Sequence, residues 1–234
     1  MLNDHCWIFV NYVPGAFGSF ITKVIETSPD VYNIDGKVFD KHGASHKNIA
    51  VWFHNFHDGD ELDAWAKLNK DDQISYVYNS LNTKLYNSTT LYKVHRFTNP
   101  SKHHLFVNMF PQAKFVKVVF SSTYLNKIVD QMVQKTFDGW FETQCKIQNP
   151  DLYKILNNVP VEYQLAHYRK ECIARIESTI DNSVDERTML FNAKDLFNDR
   201  AVNTFDKMFK FLNIAPGNYD TLLQEFLKIH SDLD

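Results

Sequence analysis

The chain has 234 residues, a formal net charge of -3, and 44% hydrophobic and 15% aromatic residues. That is ample apolar material for one sizeable core and argues against a disordered chain. No apolar run reaches the roughly eighteen residues of a membrane helix, and the slight acidity removes a broad electrostatic grip on nucleic acid.

The N-terminus lacks the basic region and apolar stretch of a secretory leader, so a cytoplasmic protein with no membrane attachment is expected. Cys6, Cys145 and Cys172 lie far apart, in no metal-type spacing, and read as reduced thiols.

In chain order, residues 6–12 form an apolar, β-prone run that suits a buried parallel strand. The stretch NYVPGAFGSFI follows from Asn11, and beyond it Phe20, Ile21, Val24 and Ile25 recur at helical spacing until Pro29. Residues 31–60 carry no regular period, and two polar helices are expected across 61–84. A second strand, TTLYKVHRF, is expected over 89–97 and ends at Asn99-Pro100. A third, KFVKVVFSS over 114–122, leads into the clearest helix. There Leu125, Ile128, Val129, Met132, Val133, Phe137, Trp140 and Phe141 form one stripe. A helix from near Pro160 carries Val161, Leu165, Tyr168, Cys172, Ile176 and Ile180. Its Lys and Arg residues between Tyr168 and Arg175 alternate with apolar positions, as on an ordinary amphipathic helix. A fourth strand at 188–193 and helices at 201–212 and 219–230 complete the order. Strands spaced by helices imply an α/β fold, a parallel β-sheet flanked by helices, in one domain over residues 1–234.

A strand, a glycine turn and a helix N-terminus make a natural anion site, because free N–H groups and the helix dipole converge there. Gly15 and Gly18 can supply positive φ, and Ser19 is placed either to cap the helix or to donate to a phosphate oxygen. The alternative is a plain tight turn. No Gly-Lys-Ser/Thr follows, so an ordinary ATP-binding loop is not expected.

Four segments in order resemble the sulfotransferase family, whose P-loop-like α/β fold binds phosphoadenosine phosphosulfate (PAPS). VPGAFGSFI falls on that family's phosphosulfate loop without a gap, and LYKVHRF on its Lys-Thr-His strand. FPQAKFVKVVFSSTYLNKIVDQ resembles the strand and helix that hold the 3′-phosphate, and LFNAKDLFNDRAVNTFDKMFKFLNI the late strand and helix. The resemblance implies transfer of a sulfuryl group from PAPS to a hydroxyl or amine on a small-molecule or glycan acceptor. It implies cofactor contacts from Pro14, Gly15, Ala16, Phe17, Gly18, Ser19 and Phe20. It also implies His95 as general base and Lys93 as electrostatic stabiliser. Gly15 stands in place of the family's loop lysine, Phe17 of a glycine, Phe120 of the 3′-phosphate arginine and Ile128 of its serine. Ser121, Ser122 and Lys127 are the nearby groups that can rebuild that grip. The same departures leave a second expectation open, a non-catalytic binding protein on the same fold.

His54, His57, Asp58 and Asp60 cluster in sequence, but with no Cys partner or His-Glu-x-x-His pattern they read as a loop near the acceptor site. No metal is expected. His103-His104 read as a solvated helix start.

Overall fold

Five consecutive buried residues, WIFVN, make β1 (Trp7–Asn11) in the computed structural model. Burial on both faces is what a central parallel strand requires. The structure describes residues 7–12, 17–31, 64, 67–69, 71–73, 92–97, 103–120, 122–177, 184–197 and 200–230. The sheet adds β2 (Lys93–Phe97), β3 (Lys114–Val119) and β4 (Thr188–Asn192) in the order β2-β1-β3-β4, with every pairing parallel. The expected α/β architecture is the one observed. Each strand lies within its expected range, trimmed by one to four residues at the ends.

Because side chains alternate across a strand, the sheet has two distinct faces. On one, Trp7, Phe9 and Phe115 stack, with ring centroids 6.1 Å and 5.3 Å apart for successive pairs. Phe110, which follows α2 (His103–Met109), covers them at 4.8 Å from Phe9. On the other face Ile8, Val10, Tyr12, Val94, Val116, Val118 and Phe191 join the main core. Helix α1 (Gly18–Glu26) packs there through Ile21, Val24 and Ile25, together with α6 (Ala201–Leu212) and α7 (Asp220–Ile229). Phe205 of α6 bridges them, 5.5 Å from Phe191 and 6.1 Å from Phe20.

The long stripe is buried as expected, but not on one regular helix. Helix α3 (Ser122–Gly139) gives way to a π-helix, Trp140–Gln148. Within it Trp140, Phe141 and Cys145 are all buried. Then come α4 (Pro150–Leu156), with Pro150 in its first turn and Asn149 capping the Leu152 N–H at 3.3 Å, and α5 (Val161–Glu177). Trp140 stacks on Tyr168 of α5 at 4.4 Å. Cys145 and Cys172 are both buried. A 3-10 turn, Ala193–Phe197, joins β4 to α6.

The loop from α6 to α7 is tied to the far end of α1. The Ala215 N–H donates to Asp30 Oδ2 at 2.6 Å. A Cβ on Gly217 would collide with the Thr27 backbone, so only glycine lets the loop lie that close. The expected helices over 61–84 and the His54–Asp60 cluster lie wholly or largely outside the described residues.

Candidate functional site

The strand order fixes where a ligand can enter. The chain leaves β1 toward β2 on one side and leaves β3 toward β4 on the other. The carboxyl ends of β1 and β3 therefore flank a topological switch point, the crevice that ligands of open α/β sheets occupy. Asn11 ends β1 and pairs in register with Lys117 of β3. From these two ends the chain turns into α1 and α3, and neither helix has an acidic residue in its first turn.

On the β1 side, residues 13–16 lie outside the description, and with them Pro14, Gly15 and Ala16. Phe17 is the N-cap of α1, with φ 59° and ψ 8°, in the left-handed region. No side chain caps the helix, so Ser19 is not the cap; it is the second helical residue, and α1 begins at Gly18 rather than near Phe20. The Ile21 N–H is taken by the Phe17 carbonyl at 3.0 Å. The amides of Gly18, Ser19 and Phe20 precede that first helical bond, at the positive end of the dipole.

The Phe17 ring turns into the core. It meets Phe197, Phe226 and His230 at 5.3, 5.3 and 5.2 Å. Tyr12 lies against Gly18 so closely that a Cβ there would run into its ring. The Tyr12 hydroxyl stands 3.4 Å from Ser19 Oγ.

On the β3 side, Ser121 is outside the description, Ser122 opens α3, and Lys127 lies exposed in the second turn. Phe120 is half-buried against the core and Ile128 is fully buried in it, so neither position offers a polar group.

Strand β2 runs level with β1, pairing Phe97 with Asn11, His95 with Phe9 and Lys93 with Trp7. His95 and Lys93 therefore occupy positions on the Phe9 face. His95 stands two places back from the strand end, about 7 Å at the usual strand rise, and Lys93 four, about 13 Å.

That face also holds a polar chain, buried at Asn11, His103 and Thr188 and reaching the surface at Asp185, with no counterpart among the sequence expectations. Asn11 is 0% exposed, and its Nδ2 lies 3.3 Å from Nδ1 of His103, which is 3% exposed. His103 Nε2 is 3.3 Å from Thr188 Oγ1, and Thr188 donates to Asp185 Oδ1 at 2.8 Å. Arg187 completes the chain, its Nε donating to Asp185 Oδ2 at 2.9 Å and its Nη1 to the Phe110 carbonyl at 3.2 Å. Burial pushes the Asp185 carboxyl up, but the bonds from Thr188 and Arg187 outweigh it and hold the group below its ordinary 3.8. His103 is thus a core residue, not the solvated one expected. No local pattern reveals this, because its partners lie 92 and 85 positions away. Lys117, 2% exposed, is a further buried polar residue on this face. Among the described residues no cluster of His, Cys, Asp or Glu could hold a metal ion, and no helix is long and apolar enough to cross a membrane.

No family model and no curated protein sequence matches the chain. Solved structures similar to it include the following two. One is a sulfotransferase domain from the curacin biosynthetic pathway, 11% identical over 89% of this chain and 74% of that one, with a TM-score of 0.44. The other is a sulfotransferase from Alicyclobacillus acidocaldarius, 12% identical over 95% of this chain and 90% of that one, with a TM-score of 0.45.

Proposed function

We propose that the protein is a sulfotransferase-like enzyme that moves a sulfuryl group from PAPS to a hydroxyl or amine acceptor, at the carboxyl ends of β1 and β3. The observation that carries this reading is Phe17. A bulky residue holds left-handed backbone at the loop position where the resembling family has glycine. Such backbone costs a non-glycine residue about 1–2 kcal/mol, and it persists where packing or function demands it. Phe17 holds the backbone that a glycine would adopt freely.

The residues present fit an anion. Pro14, Gly15, Ala16, Phe17, Gly18, Ser19 and Phe20 would hold the phosphosulfate, with the first-turn amides of α1 as donors and no carboxylate in that turn to oppose them. Ser121, Ser122 and Lys127 would grip the 3′-phosphate from the start of α3, compensating for Phe120 and Ile128. Bound there, PAPS would supply the sulfuryl group, its S–O bond to phosphate breaking as the acceptor oxygen or nitrogen bonds to sulfur. His95 would take the acceptor's proton, a step worth about 10²–10⁴-fold. Lys93 would oppose the negative charge that develops. Their common face with Asn11 supports a shared site, and the setback of Lys93 favours a long-range electrostatic role over direct contact.

The test is transfer from labelled PAPS to a panel of phenols, alcohols and amines. Turnover is expected, lost in His95→Ala while adenosine 3′,5′-bisphosphate still binds, and lowered in Lys93→Ala. Binding without transfer to any acceptor would establish the second reading, a non-catalytic binding protein. That reading is favoured by one specific feature, the buried apolar Ile128 where the family has a serine.

A further inference from the structure

We infer that Asn11 is the recognition group of a subsite on the Phe9 face, one that takes a ligand group able to donate a hydrogen bond: a hydroxyl or an amine. The hydrogen-bond chain behind it sets its polarity. Asp185, held below the ordinary carboxyl range, only accepts. Thr188 gives it the hydroxyl proton at 2.8 Å, so the Thr188 oxygen is left to accept from His103 Nε2 at 3.3 Å. A neutral imidazole with its proton on Nε2 has an acceptor at Nδ1, and that atom faces Asn11 Nδ2 at 3.3 Å. The network thus assigns the amide: Nδ2 toward His103, Oδ1 away from it.

Asn11 Oδ1 is buried and has no hydrogen-bond partner among the described residues. Native interiors leave few polar atoms so, because an unpaired buried acceptor forfeits the bond it had with water. This one sits on the last residue of the central strand, at the switch point where ligands reach such sheets. A buried acceptor that is fixed from behind and left without a donor of its own selects one. That the donor belongs to the sulfuryl acceptor rests on the function proposed above; that Asn11 selects a donor does not.

The experiment therefore omits PAPS. Isotopically labelled protein is titrated with phenol and benzyl alcohol, and separately with anisole and benzyl methyl ether, which differ by lacking the O–H. The Asn11 side-chain amide signals and the dissociation constants are followed by NMR. The O–H probes are expected to shift the Asn11 amide and to bind at least about tenfold tighter than their ethers. Asn11→Leu should abolish the preference. Thr188→Val, which touches Asn11 only through His103, should cut it to about threefold or less, and Thr188→Ser should restore it. Equal binding of alcohols and ethers by the unaltered protein overturns the inference, as does an Asn11 amide that no probe moves. Full discrimination in Thr188→Val overturns the orienting role of the chain. Failure of sulfuryl transfer leaves this result untouched, so the two claims fall separately.

Discussion

The Phe17 ring meets the Phe226 ring edge-on, with centroids 5.3 Å apart and planes at 88°. Phe226 also stacks on Phe20 at 4.0 Å, and His230 closes on Phe17 and Phe226 at 5.2 and 4.6 Å. The end of α7 thus clasps the start of α1 on both sides of the first turn. A glycine would reach the left-handed bend freely; Phe17 is held in it by packing.

This arrangement reverses the usual ranking of two truncations. Both Phe17→Ala and Phe17→Gly lose the ring, a change that in cores costs about 3–5 kcal/mol. Only glycine also escapes the left-handed penalty. Phe17→Gly is therefore expected to be the more stable by about 1 kcal/mol in urea unfolding. A glycine variant less stable than the alanine one would show that the bend carries no strain.

Gly18 is constrained for a different reason. Its missing Cβ leaves the space that the Tyr12 ring fills. Gly18→Ala should cost about 1–3 kcal/mol by overpacking. In a Tyr12→Ala background the same change should cost almost nothing. Equal costs in both backgrounds would mean that Tyr12 is not the obstacle.

The strands and their succession along the chain were legible because their signals are local; the order β2-β1-β3-β4 within the sheet was not. WIFVN, KFVKVV and TMLFN are short apolar β-prone runs, and the α6 stripe places Phe205, Met208, Phe209 and Leu212 on one buried face. Helix α4 was missed although Asn149-Pro150, a cap followed by a first-turn proline, announces it. The break into a π-helix at Trp140 leaves no mark in a stripe that reads the same on either helix. The site was legible only in part. The glycine loop is a contiguous motif, whereas Asn11, Lys117 and Thr188 are placed by strand register and His103 is brought to Asn11 and Thr188 by α2. Each alone looks ordinary.

If Ser121 and Ser122 at the start of α3 hold a phosphate, replacing both with alanine should weaken adenosine 3′,5′-bisphosphate binding by about tenfold or more, on the usual worth of hydrogen bonds to charged groups. Folding should be little changed. Unaltered affinity would move the 3′-phosphate site elsewhere.

Tyr219 gives the fold an alkaline limit. Burial first, then Asp206 and Asp220, push its hydroxyl from 10.0 up to about 12. Its ring lies between Phe205 and Phe209 at 5.0 and 5.8 Å, a poor place for a phenolate. A raised folded-state value means that the neutral form is favoured on folding. Its contribution is whole below pH 10 and is lost as the pH rises from 10 to about 12. Stability should decline across that window, less steeply in Tyr219→Phe. Phenolate absorbance showing Tyr219 ionised at its ordinary value in the folded protein would contradict this.

The proposed function requires the bend at Phe17 and the start of α1 to hold a phosphorylated ligand. Calorimetric titration with adenosine 3′,5′-bisphosphate, run beside adenosine, tests it most directly. The bisphosphate is expected to bind, added salt to weaken it, and adenosine to bind far less tightly. No binding of the bisphosphate, or equal affinity for adenosine, would contradict it.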